Sequence, residues 1–435
     1  MRTQILCFTD SMKYSNIILK NFLFAILIGL CSQVFAQTTT NSIYSRYGIG
    51  EIRKPQFNTN FGIGGAGIAL KSDRFANFAN PASLTSLKMI AFEVAVKSDN
   101  YQAISGTQKS QGNNTYFNHL SLSMPIKDWW GLTFGITPLS TIGYDYSYSE
   151  YNQNKGRIDY SYIGSGGINK VFVANGFDIA EGLSFGFTTS FLFGGIEREK
   201  QIEFLDTTYA FNSSDKDRIT VSDVSFDLGI QYEKALSEEY TFIGGVTYDV
   251  GNKLSGRRTQ LIRSYRGSNL SISYLDTSKF VDAIKTNIKL PSTIGLGVSI
   301  EKKESWGFEL NYLNAAWSSI EPEGQEEFVN SQTFIAAFRI LPNENAYSDY
   351  FKRITYSFGA SYSNSYIKLN NQELNEYGIN FGISLPFKKS ISSLTFGLEA
   401  LRRGENSNGL VQEDFLNFNL GITINDRWFI KRKYD

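Results

Sequence analysis

Few residues in this chain of 435 could do chemistry. Gly62, Gly64 and Gly67 stand in the spacing of a dinucleotide-binding loop. That loop works only where a buried strand enters a tight turn and a helix leaves it, so that helix amides face a pyrophosphate. Here the preceding "KPQFNTNF" is polar and broken by Pro55, and Pro81 follows before a long helix could be completed. The glycines therefore call for another explanation. His119 is the only histidine, in "YFNHLSLSM", with Ser121 and Ser123 on the same strand face. A hydrolase would need serine, histidine and an orienting polar group in mutual contact. Without that third group, a polar histidine facing a lumen is the simpler reading, and no enzymatic activity is expected. No His or Cys cluster offers a metal site, and no cofactor is called for. The acidic run "EPEGQEE" at 321–327 reads as a solvated loop.

The front of the chain gives its destination. Lys13 and Lys20, an apolar run from Asn21 to Leu30, and Val34-Phe35-Ala36 make a secretory signal peptide over residues 1–36, cut after Ala36. Both cysteines, Cys7 and Cys31, fall in the part removed, so the mature chain forms no disulfide. The whole chain carries 42 Lys plus Arg and 42 Asp plus Glu. Removing Arg2, Lys13, Lys20 and Asp10 with the leader leaves 39 against 41, a balance that gives no support to a nucleic-acid partner. After the leader no apolar stretch reaches the length of a transmembrane helix.

Period-two alternation pervades the rest. In "RITYSFGASY", Ile354, Tyr356, Phe358, Ala360 and Tyr362 share one face, and Thr355, Ser357, Gly359 and Ser361 the other. The pattern recurs in "LTFGI", "LSFGF", "INFGISL", "LTFGL" and "LNFNLGITI". Such alternation marks strands with unlike faces. With 25 Tyr and 34 Phe and a polar face of Ser, Thr, Gly and Asn, the pattern suits a lipid-facing barrel. Exposed backbone groups cost several kcal/mol each in hydrocarbon, and only a closed sheet leaves no edge. The expected fold is all-β: a transmembrane antiparallel β-barrel of about 14 strands over residues 89–425, with 426–435 as a strand end or periplasmic tail. Connections 98–115, 204–219, 264–286 and 319–330 read as long outer loops, and 126–129, 302–304 and 387–390 as short periplasmic turns. The segment 341–351 is long for such a turn. Phe280 and Ile284, four apart, fit a helical turn within 264–286. Residues 37–88, irregular and rich in small residues, are suited to fill the lumen as an N-terminal hatch.

The stretch "GGAGIALKSDRFANFANPASLTSL", Gly64 to Leu87, resembles the amino-terminal hatch of the FadL-type outer-membrane transport family. "NSIYSRYGIGE", Asn41 to Glu51, is similar to the mature start of FadL-like proteins from the Bacteroidetes. The resemblance implies a fourteen-stranded barrel plugged by its own amino terminus. It also implies an outer-membrane channel for passive uptake of hydrophobic small molecules such as long-chain fatty acids. Gly62, Gly64, Gly65, Gly67, Phe75, Phe78, Asn80, Pro81 and Ala82 are then the candidate substrate and gate residues. The glycines allow positive backbone angles and close approach to a wall, Phe75 and Phe78 present apolar surface, and Asn80-Pro81 pins a turn. Arg46, Arg74, Arg258 and Arg263 are candidates to meet a carboxylate. The chain ends in Asp435, not the terminal aromatic common in such barrels, which places an assembly signal inward at Trp428 and Phe429 or makes "KRKYD" a basic tail. Expected partners are outer-membrane lipid and lipopolysaccharide, a hydrophobic ligand and, on an alternative reading, other subunits of an outer-membrane secretion or protein-assembly complex.

Overall fold

The computed structural model describes residues 42–427, apart from 55, 208, 268–271, 304, 322–326, 344–348, 389 and 408. The leader, most of the acidic run and Trp428 with the terminal tail therefore lie outside the described residues. Sixteen long strands form: β1 (Ile90–Ser105), β2 (Gln108–Lys127), β3 (Trp130–Asn152), β4 (Gly156–Ala180), β5 (Leu183–Phe204), β6 (Asn212–Ala235), β7 (Tyr240–Asp249), β8 (Lys253–Arg266), β9 (Ser273–Lys289), β10 (Thr293–Lys302), β11 (Trp306–Ala315), β12 (Ser331–Ile340), β13 (Thr355–Leu369), β14 (Gln372–Pro386), β15 (Ser393–Arg403) and β16 (Gln412–Asp426).

Fourteen of them close a ring. Each of β1 to β6 pairs antiparallel with the next. β7 then pairs directly with β10, and β10 to β16 continue in order until β16 meets β1. Along β16, Leu416, Phe418, Leu420 and Ile424 are exposed while Asn417, Asn419, Gly421 and Thr423 are buried. The apolar face points out and the polar face in, the reverse of a water-soluble sandwich and the arrangement a bilayer demands.

Two strands stand outside the ring. β8 and β9 form a hairpin that pairs with the upper half of β6, from Asn212 to Val221. This corrects the expectation of an outer loop with a helical turn at 264–286: most of that segment is β9. The connection at 98–115 is likewise mostly strand, the top of the β1–β2 hairpin. Strand lengths explain the shape. Ten residues at ~3.3 Å each, tilted, just cross the ~25 Å apolar band, and β7, β10, β11 and β12 each have ten. β3 to β6 have 22 to 25 residues, so that side of the ring rises far beyond the band at one end as a crown.

Candidate functional site

The site grows from the segment that precedes β1. Ser42 to Leu87 runs inside the ring and touches its strands in nearly descending order. Asn58 lies against Gly421 of β16, Phe61 against Gly397 of β15, Gly62 against Gly382 of β14, and Ile63 against Gly359 of β13. Ile68 then meets Gly297 of β10 and Gly245 of β7, and Asn80 meets Gly229 of β6. Pro81 and Ala82 face Gly186 of β5, and Leu84 faces Gly176 of β4 and Gly131 of β3. The glycines of "SFGAS", "NFGIS", "SFGF" and "LTFGL" thus form a girdle of missing side chains around the lumen. Backbone reaches backbone there: a Cβ on Gly382 would sit 2.7 Å from the Gly62 Cα.

The predicted residues take their places along this path. Gly64 and Gly65 adopt φ of +71° and +86°, which glycine alone adopts readily, and they turn the chain between Ile63 and Ala66. Gly67 leaves room for Asn77, whose amide donates to the Gly67 carbonyl. Phe75 packs on the cluster of Ile63, Ala66, Leu70 and Ile335. Phe78 packs on Phe57 with the rings tilted 43° and centroids 4.0 Å apart, and meets Phe172 edge-on at 5.3 Å. Asn80 caps a 3-10 helix over Pro81–Ser86, its Oδ1 accepting from Ala82 N at 3.1 Å. Its Nδ2 donates to Ile68 O at 2.9 Å and to Ile230 O of the wall at 3.1 Å. Asn80 therefore ties two turns of the plug to β6.

A valine at Gly186 would drive its side chain into the Pro81–Ala82 backbone. G186V is expected to loosen plug docking by about 1–3 kcal/mol, the usual effect of overpacking. Limited proteolysis should release the amino-terminal segment from folded G186V faster than from the parent; equal resistance would mean that the girdle does not hold the plug.

Charge fixes the upper half. Arg403 at the top of β15 donates to Glu376 at 2.9 Å and to Glu51 of the plug at 3.1 Å, and lies 3.5 Å from Glu413. Lys54 of the plug reaches Glu376 at 2.6 Å. Arg53 meets Asp99 at 3.0 Å, and Lys97 lies between Asp99 and Glu399 at 3.5 and 3.4 Å. Ser42 donates to both Glu413 oxygens. Tyr44 donates to Val411 O at 2.6 Å and accepts from Val411 N at 2.9 Å. Burial pushes its hydroxyl well above the ordinary phenol range, so it remains a donor. This lattice was not foreseen. Its signal was present, since Lys97, Glu399 and Glu413 all occupy polar-face positions of alternating strands.

The four arginines proposed for a ligand carboxylate do not converge. Arg46 donates to the Tyr146 hydroxyl and lies over Tyr162 at 4.5 Å. Arg74 lies 3.6 Å from Asp73. Arg258 pairs with Asp217 at 2.8 Å, and Arg263 covers the Tyr274 ring at 3.4 Å, both on the crown hairpin. His119 is fully buried beside Phe57, ring centroids 4.2 Å apart, and neither ring nitrogen bonds Ser121 or Ser123. Between plug and wall remains a cavity of about 410 Å³, with Phe57, Phe78 and Phe172 on one side and Lys170, Asp227 and Asp249 on another.

Solved structures share this architecture. The Pseudomonas putida toluene transporter TodX is 13% identical over 87% of this chain and all of its own length, with a TM-score of 0.58. A Pseudomonas aeruginosa FadL homologue is 12% identical over 86% of this chain and 99% of its own, at 0.55. The CymD monoaromatic hydrocarbon channel is 14% identical over 88% and 99%, at 0.53. At such identity the likeness establishes a common fold and nothing finer. No curated protein sequence matches this one. Residues 18–435 match the model of a single family across almost the whole chain, and the protein belongs to that family, BamG.

Proposed function

We propose that this barrel is a partner-binding subunit of an outer-membrane complex for secretion or protein assembly, with its amino terminus held in the lumen. The observation that carries the reading is the crown. A pore needs strands of about ten residues to cross the apolar band, yet β3 to β6 continue for another dozen and β8–β9 widen the sheet. Tyr151, Tyr209 and Phe280 are 75%, 93% and 62% exposed on this superstructure. Among the described residues the register of β9 runs with β8 alone, which leaves its outer edge without a strand. A long unpaired edge beside exposed aromatics is surface that proteins ordinarily blunt or cover. The family designation, BamG, agrees with a place in an outer-membrane complex.

A second reading, passive uptake of hydrophobic small molecules such as long-chain fatty acids, has its own support in the 410 Å³ cavity with its Phe57, Phe78 and Phe172 wall. Burial there would stabilise an apolar ligand by about 25 cal/mol per Å² removed from water. The hydrocarbon channels of the same fold point the same way. Purification from native membranes in mild detergent separates the two. Stoichiometric protein partners that remain through gel filtration are the expected result; a lone barrel carrying a hydrophobic molecule would transfer the weight to uptake.

A further inference from the structure

The foot of the crown hairpin carries an unusual juxtaposition. Where β8 leaves the ring and β9 returns to it, Lys253 lies directly opposite Lys289, and Arg257 directly opposite Lys285, with Ser255 opposite Asn287 between them. Leu254 and Gly256 are buried on the other face, so these six side chains share the outer one, and all six are exposed. Like charges directly opposed on neighbouring strands destabilise a sheet. None of the four cations has an ion-pair partner among the described residues, and Asp223 beneath them accepts from the Ser255 and Val224 amides. An arrangement that repels itself in the free protein is explained by an anion that bridges it.

The second observation lies below, in the apolar band. Gly244 of β7, Val298 of β10, Leu310 of β11, Ala336 of β12 and Ala360 of β13 pair in one transverse row. Small residues at Gly244, Ala336 and Ala360 make that row a furrow, a groove of about 870 Å³ flanked by outward Ile230, Leu296 and Phe334. Exposed Tyr248 and Ile294 continue its upper wall toward the cations. From Val246 to Lys253, or from Leu296 to Lys289, is seven residues, about 23 Å of chain at ~3.3 Å per residue, which a tilt of about 45° reduces to about 16 Å along the membrane normal, comparable to one leaflet of a ~30 Å hydrocarbon core.

We propose that this outer wall is a binding site for a phosphate-bearing glycolipid of the outer leaflet, its acyl chains in the Gly244–Ala360 furrow and its phosphate between Lys253, Arg257, Lys285 and Lys289. The phosphate turns two repulsive cross-strand pairs into bridged ones, and the lipid seats the crown at a fixed height on the membrane. The site lies outside the ring and does not depend on whether the lumen carries a ligand or the crown a protein. Nor is it the lumenal cavity.

The test is native mass spectrometry of the full chain in mild detergent, with added lipid A as probe. The parent is expected to retain lipid A, and the quadruple variant K253Q/R257Q/K285Q/K289Q to lose at least tenfold in retention. A360W, which fills the furrow and leaves the cations intact, should lose retention as well, while neither variant changes the weak retention of phosphatidylethanolamine. Because the four side chains are exposed and mutually repulsive, the quadruple variant should melt no lower than the parent in lipid-free detergent, which excludes misfolding as the cause. Undiminished retention in the quadruple variant would overturn the proposal. So would displacement of lipid A by millimolar inorganic phosphate, which would mark a free-anion site, or a co-purifying acidic protein occupying the patch in place of lipid.

Discussion

Replacing Arg403 by methionine is expected to release the plug while leaving the ring closed. Three carboxylates, Glu51, Glu376 and Glu413, surround this one guanidinium, and the Glu413 side chain is fully buried. Removing one partner of a buried charge cluster leaves the others uncompensated and typically costs about 3–5 kcal/mol. Lys54 still serves Glu376, so the loss falls on Glu51 and Glu413, the two groups that bind the plug's start to β15 and β16. The ring keeps its own ladder of backbone hydrogen bonds, independent of the lattice. The measurement is paired: heat-modifiable migration in gels should persist, while the amino-terminal segment becomes protease-sensitive. Neutralising the two carboxylates left without a partner, in R403M/E51Q/E413Q, should restore much of the resistance, since Lys54 and Glu376 remain a pair and no buried charge stays uncompensated. If R403M alone keeps full resistance, the girdle contacts hold the plug and the ion pairs are incidental.

Deleting residues 37–84 is expected to give a folded barrel with a far wider lumen. The fourteen strands satisfy one another from residue 90 to residue 426, and the wall groups exposed by the deletion, among them Glu93, Lys97, Glu399 and Arg403, are charged and accept water readily. Planar-bilayer conductance should rise sharply over that of the parent. A truncated chain that fails to form a heat-modifiable barrel would make the plug part of the assembly nucleus. One that folds without a conductance rise would show that wall side chains or the crown occlude the lumen unaided.

The ring was legible in the sequence because membrane strands must differ between their faces. "RITYSFGASY" shows it in ten residues, with Phe358 and Tyr362 exposed and Ser357 and Ser361 buried as the period demands. The crown hairpin was not legible, because its β9 strand has no buried face to impose a period. It is exposed on both sides and its register with β8 shifts at three points, so "SYLDTSKFVDAIKTNIK" reads as a loop. The girdle was half visible: each glycine stood on a recognisable strand, but nothing local says that a second backbone occupies the space its side chain lacks. The lattice was hidden by distance along the chain, since Lys54 finds Glu376 322 residues later and Ser42 finds Glu413 after 371. Charge spacing within a strand carries no trace of such a partner.

The path of the plug sets the order in which the molecule can be made. Asn58 lies against β16, the last strand synthesised, and the ring shuts where β16 meets β1, beside that contact. Once shut, the ring can admit the 46-residue segment from Ser42 to Leu87 only through its ends, past the side chains that line the lumen. The contacts of Asn58 and Phe61 with the last two strands wait for those strands to arrive, so docking of the amino-terminal segment is completed late. Contacts between the two ends of a chain form slowly, so until the end arrives the first strand keeps an unpaired edge, which whatever receives this protein at the membrane must shield.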